Sequence, residues 1–261
     1  MVKTGWLQAA AAILMLACAS TPAQAPAAAE PPAEQAVSPA AKAAVDAAIA
    51  KLSAAARVDS VQPAPLAGFY QVIASGRLFY VSTDGRYVLN GELFDLSSMH
   101  NLSDDGWARY RRQALARVPA SQRIVFAPPH PRYTVSVFTD VTCPYCESLH
   151  KHIAAFNRAG IAVEYLAWPR EGVATASGKP TPTYTKMVSV WCARDPKAAL
   201  TAAMSGAVVP AASCANPVKE QFQLGVELGL EGTPSVIGPD GRLLGGYLTP
   251  EQLLGALRDG N

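Results

Sequence analysis

Two cysteines three positions apart, Cys143-Pro144-Tyr145-Cys146, follow four residues after a run of β-branched and aromatic residues, Tyr133-Thr134-Val135-Ser136-Val137-Phe138. That order restricts the surrounding fold. The run reads as a strand. Proline suits the first helical position, where its missing N–H costs nothing and its fixed φ matches the helix, so the cysteine pair opens a helix. The spacing puts both sulfurs on one turn, with Cys143 at the cap and Cys146 one turn in. The unpaired N–H groups and the positive end of the dipole at that terminus favour an anionic sulfur. Cys143 is therefore predicted to have a lowered pKa and to attack as a thiolate, and Cys146, deeper in, to resolve the mixed disulfide.

A structural zinc site and an inert disulfide are the other uses of such a pair. His150 lies at i+4 from Cys146 and His152 faces elsewhere, while Cys192 and Cys214 do not form a second Cys-x-x-Cys, which weakens the zinc reading. His150 reads as a solvated or otherwise satisfied helix residue. No metal and no cofactor is expected. The formal charge of +2, from 22 basic and 20 acidic residues, gives no electrostatic case for nucleic acid, and no Gly-rich phosphate loop is present. The partners implied are proteins or small molecules.

The N-terminus reads as an export signal over residues 1–19. Lys3 supplies the positive charge, and the apolar run Leu7 to Ala17, about eleven residues, is too short for a membrane span of roughly 20. An Ala/Pro-rich stretch over 20–41 reads as a linker, so the mature chain is expected to work outside the cytoplasm, where disulfides persist. Met15-Leu16-Ala17-Cys18 loosely matches a lipobox, which would make Cys18 a lipid-bearing N-terminus. Ordinary cleavage near Ala19 would discard Cys18 instead. Either way, one of the 5 cysteines is removed from pairing.

Residues 42–100 read as a small α+β unit. A helix from Lys42 to Ala56 carries Val45, Ile49 and Leu52 on one face. The turn-rich Val61 to Gly68 precedes strands at Phe69 to Ala74 and Arg77 to Ser82, and then Tyr87-Val88-Leu89. Such a unit buries little surface alone, and dimerisation would complete it. Residues 101–131 read as a linker built on a helix from Ser103 to Val118, capped by Ser103 or Asp104, with Arg109, Arg111, Arg112 and Arg117 on its solvated face. Over 132–261 the order is strand, helix to about Arg158, strand from Ile161 to Ala167, helices, a hairpin near Ser235 to Leu244, and a final helix from Pro250. This is thioredoxin-like order with a helical insertion.

Phe138-Thr139-Asp140-Val141-Thr142-Cys143-Pro144-Tyr145-Cys146, followed by Leu149-His150, closely resembles the active-site segment of the DsbC/DsbG family of periplasmic disulfide isomerases. Val61 to Gly68, Tyr165 to Arg170, Val190 to Ala193, Leu224 to Val226 and Gly232-Thr233-Pro234 extend the likeness over nearly the whole mature chain. The resemblance implies a cystatin-like α+β module that dimerises, a linker helix, and a thioredoxin-like domain facing its twin across an apolar cleft for misfolded proteins. It also implies a cis bond at Thr233-Pro234, substrate binding by Thr233, Pro234, Pro144 and Tyr145, and a second, structural disulfide between Cys192 and Cys214. The activity implied is isomerisation of non-native disulfides in exported proteins by a homodimer, kept reduced by a DsbD-type membrane reductase. A simple oxidase or reductase and a DsbG-like chaperone are the competing readings. Gly typically stands in the DsbC branch at the position of Pro144, and Pro-Tyr occurs in the DsbG branch.

Overall fold

The computed structural model describes Met1 and residues 37–259, so the export segment and Cys18 lie outside the described residues. Helix α1 (Pro39–Leu52) starts three residues before the expected Lys42, because Ser38 caps it by accepting the Ala41 N–H and Pro39 takes the first turn. Val45, Ala48 and Ile49 form its buried face, whereas Leu52, expected on that face, is exposed at the helix end.

The helix covers one face of an antiparallel sheet in the order β1 (Val58–Pro63), β2 (Phe69–Ala74), β3 (Arg77–Ser82), β4 (Val88–Leu89). Strand β1 falls partly in the stretch read as turns. Pro63 is tolerated because it ends an edge strand. Adjacent residues of a strand point to opposite faces. Val72, Ala74 and Val81 accordingly pack on α1, and Ile73, Leu78 and Tyr80 pack on the other side. That second face is covered within the same chain, by Tyr110, Ala114 and Leu115 and by Leu228 and Leu230.

A short hairpin, β5 (Phe94–Asp95) and β6 (His100–Asn101), leads into α2 (Leu102–Ala116). Asn101, and not Ser103 or Asp104, is the N-cap and accepts the Ser103 N–H at 3.0 Å. Ser103 faces inward, where its hydroxyl meets that of Tyr80 at 2.7 Å. The arginine cluster is also not uniformly solvated. Arg111 is 6% exposed, stacks on Trp107 and donates its Nε–H to the Leu228 carbonyl at 3.1 Å. Gly76, at φ +74°, lets the β2–β3 turn approach the Val226 carbonyl, where any Cβ would collide.

The second sheet is five-stranded, in the order β11–β10–β8–β9–β7. Strand β7 (Ile124–Phe126) lies within the stretch read as linker and pairs antiparallel with β9 (Ile161–Ala167). Strand β8 (Tyr133–Thr139) runs parallel to β9 at the centre, and β10 (Ser235–Ile237) pairs antiparallel with β8 and with β11 (Leu243–Gly245). The helix after β8 is two helices, α3 (Pro144–Lys151) and α4 (Ile153–Arg158), broken at His152. Helices α5 (Pro182–Trp191), α6 (Pro196–Met204) and α7 (Val218–Glu227) form the insertion, and α8 (Pro250–Asp259) closes the fold. Helix α3, α5, α6 and α8 residues share one core with the sheet through Leu149, Met187, Leu200 and Leu253. This is a thioredoxin-like fold preceded by an α+β unit.

Candidate active site

The turn between β8 and α3 is held by a buried carboxylate. Asp140, 0% exposed, accepts the Thr142 N–H and hydroxyl on Oδ1, each at 2.7 Å, and the Arg170 N–H on Oδ2 at 2.8 Å. Arg170 adds an Nε contact to Oδ2 at 3.3 Å and donates to the Thr142 carbonyl at 3.2 Å. The Asp140 carbonyl then accepts the Cys143 N–H at 3.1 Å, which sets Cys143 as the N-cap of α3 with Pro144 at the first helical position. The sequence reading did not single out Asp140 or Arg170. The available signal was an acidic residue at the buried end of a strand, which needs a partner.

The pairing of Ser235 with Phe138 brings Thr233-Pro234 alongside this turn. The Thr233-Pro234 bond is cis, and the Cys143 thiol donates to the Thr233 carbonyl at 3.2 Å. Beside the loop a cavity of about 390 Å³ is lined by residues that include Glu231, Thr233, Pro234 and Gly245. Tyr145 projects from the same helix end, 66% exposed. The structure thus gathers Cys143, Pro144, Tyr145, Cys146, Thr233 and Pro234 at one place.

The two thiols are not equivalent. Burial alone would raise the pKa of Cys143. Hydrogen bonding from the Thr233 side chain, from the backbone N–H groups of Cys146 and Tyr145 and from the Cys146 thiol outweighs it and holds Cys143 below the ordinary thiol range. Cys146 is pushed up to about 12, chiefly by burial. Both are free thiols, each 1% exposed. The pattern is a thiol favoured as thiolate in front of one held protonated.

Behind the pair, His150 is buried on α3. Its Nδ1 meets the Tyr165 hydroxyl at 3.0 Å and its Nε2 the Thr201 hydroxyl at 3.0 Å, with Phe126 edge-on to the ring. Burial lowers its pKa to about 4, so it is neutral at neutral pH. It is a satisfied core residue and not a solvated one. Among the described residues, no group of three or more His, Cys, Asp or Glu side chains is gathered as a metal would require.

Cys192 and Cys214 form a disulfide, with Cα atoms 5.6 Å apart, and lie 22 positions apart in sequence. Cys192 caps the C-terminus of α5, and Cys214 lies in the loop before α7. This pair joins elements of the insertion and takes no part in the β8–α3 turn.

The fold and the asymmetric thiol pair define a thioredoxin-like thiol:disulfide oxidoreductase. Residues 27–104 match the family described as disulfide bond isomerase protein N-terminal domain, and residues 121–261 match the thioredoxin-like domain family. The chain is 33% identical over 213 residues to the thiol:disulfide interchange protein DsbC of Escherichia coli (strain K12), covering 81% of this chain and 85% of that protein. The DsbC of Haemophilus influenzae is 33% identical over 199 residues, 76% of this chain and 83% of that one. The chain belongs to the DsbC family of thiol:disulfide interchange proteins. A solved disulfide interchange protein from Neisseria gonorrhoeae aligns over 54% of this chain and 97% of its own, with 28% identity and a TM-score of 0.46.

Proposed function

We propose that this protein isomerises non-native disulfides in exported proteins, with Cys143 attacking and Cys146 resolving. The observation that carries the reading is the opposite displacement of the two thiol pKa values at a helix start facing the Thr233 carbonyl. The Cys143 thiolate attacks a substrate disulfide, and one substrate sulfur leaves as a thiolate and takes up a proton. The mixed disulfide then passes to another substrate thiol, which completes isomerisation, or to Cys146, which releases reduced substrate. Thr233, with Pro234, presents its backbone to an extended substrate segment, and Pro144 and Tyr145 line the approach. The cycle needs the reduced pair, so a membrane reductase of the DsbD type is the natural electron source. The Cys192–Cys214 disulfide is structural.

Residues 42–100 act as the dimerisation module and 101–131 as the linker to the catalytic part, 132–261. Edge strand β4 and the β5–β6 hairpin expose Tyr87, Leu89, Phe94, Leu96 and Met99, which supports pairing with a second copy. The periplasm is the compartment that fits the export signal and the disulfide, with the mature chain free or lipid-anchored through Cys18. The Pro-Tyr dipeptide favours one further reading, a DsbG-like reductase and chaperone. Refolding of scrambled ribonuclease by the full chain tests the assignment. Cys143→Ala is expected to lose at least about a thousandfold in isomerase rate, and full activity in that variant would refute the mechanism.

A further inference from the structure

Among the described residues, three buried side-chain polar atoms have no close hydrogen-bond partner: Arg123 Nε, Thr139 Oγ1 and Thr233 Oγ1. Thr139 continues the face of β8 that carries Val137 and pairs with Ala167, and Val137, Ala167 and Cys146 share one core, so its side chain lies on the cysteine side of the sheet, while Thr233 meets the Cys143 thiol through its carbonyl at 3.2 Å. Thr233 bears on both sulfurs. Thr139, the last residue of β8 and 0% exposed, bears on Cys146. Its carbonyl is engaged by the Trp168 N–H at 2.8 Å, so its backbone is fixed while its hydroxyl has no close partner and only the weak acceptor of the Cys146 sulfur to turn to.

An unpaired buried hydroxyl destabilises a fold, and valine would fill nearly the same space without that penalty. Cys146 sits in an apolar core with Val137, Val141, Leu149 and Ala167. While it is a thiol, its sulfur is a weak acceptor and asks little of a nearby donor. As a thiolate it is an anion cut off from water, and a fixed donor beside it is then worth far more. We infer that the Thr139 hydroxyl is held in reserve as the hydrogen-bond donor to the Cys146 sulfur when that sulfur ionises, which makes it a catalytic group of the resolving step alone.

In that step Cys146 gives up its proton and its thiolate attacks the Cys143 sulfur of the mixed disulfide. The Cys143–Cys146 bond forms, the Cys143–substrate bond breaks, and the substrate sulfur leaves as a thiolate that is then protonated. Two electrons pass from the cysteine pair to the substrate. Thr139 donates to the Cys146 sulfur as charge builds and withdraws nothing from the attack by Cys143. The inference rests on Cys143 being the attacking thiol.

The test is oxidation of the reduced full chain by glutathione disulfide, with acid quench and mass spectrometry to separate formation of the Cys143–glutathione adduct from its resolution. Thr139→Val should slow resolution about ten- to hundredfold, the value of a hydrogen bond to a charged group, while adduct formation stays within twofold and thermal stability does not fall. Thr139→Ser should restore resolution. Thr139→Ala carries the same prediction as Thr139→Val should valine pack poorly. Resolution at the wild-type rate in both hydroxyl-free variants would overturn the inference, as would equal slowing of both steps. If wild type forms no adduct at Cys143, the underlying mechanism fails. If it forms one and the variants resolve normally, only the role of Thr139 fails.

Discussion

The two cysteine pairs use one side chain for opposite ends. Cys143 and Cys146 sit on a single helical turn, free and unequal, beside a carbonyl and two hydroxyls with no close partner. Cys192 and Cys214 are 22 positions apart and already joined, between a helix end and a loop. Closing a loop of that length takes conformational freedom from the unfolded chain, whereas a span of three residues takes about half as much. The difference teaches that the cross-link of the first pair has less to offer the fold. Its environment is organised around one sulfur's charge, and the second pair's value is in the bond itself.

The sharpest way to break this comparison is alkylation. Cys143, held below the ordinary thiol range, should react with iodoacetamide with a midpoint below that of free cysteine. Cys146, pushed up to about 12 by burial, stays a thiol at pH 7 and should be spared by well over a hundredfold. Equal labelling would erase the asymmetry. Next, replacing Cys192 and Cys214 by alanine should cost about 3 kcal/mol of unfolding free energy in the chain-entropy model, read by denaturant titration, and leave the exchange rate of Cys143 within twofold. Loss of exchange with stability intact would reverse the assigned roles.

A pH-dependent effect joins the two regions. His150 on α3 binds Thr201 on α6 of the insertion. Its folded pKa is lowered to about 4 from an ordinary 6.5, so between these values the unfolded state binds more protons. Stability from this residue is present above pH 6.5 and lost as pH falls towards 4, by at most about 3 kcal/mol at 1.36 kcal/mol per unit. Urea titrations across that window should show the fall in wild type and its absence in His150→Gln.

Much of the catalytic half was legible in the chain. Strands β8, β9 and β10 are β-branched runs buried almost throughout, and the cysteine motif with Pro144 marked the start of α3. Short or mixed segments were not. Strand β7 is three residues ahead of a proline cluster and is a strand only because β9 offers it an edge. Strand β1 carries Pro63, which reads as a turn until the sheet edge is seen. The break at His152 leaves no local mark. Arg111 looked solvated because a charged residue on a helix usually is, and its burial depends on Trp107 and on a carbonyl more than a hundred positions away. Asp140 and the hydroxyl of Thr139 share that cause: both are defined by partners, present or missing, that only tertiary structure supplies.

The most direct test of the division between Cys143 and Cys146 is trapping of a mixed disulfide with a scrambled protein substrate, read on non-reducing gels and by mass spectrometry. Cys146→Ala should accumulate the substrate joined to Cys143, and Cys143→Ala should accumulate none. Substrate joined to Cys146 in the Cys143→Ala protein, at a level matching the other variant, would contradict the account.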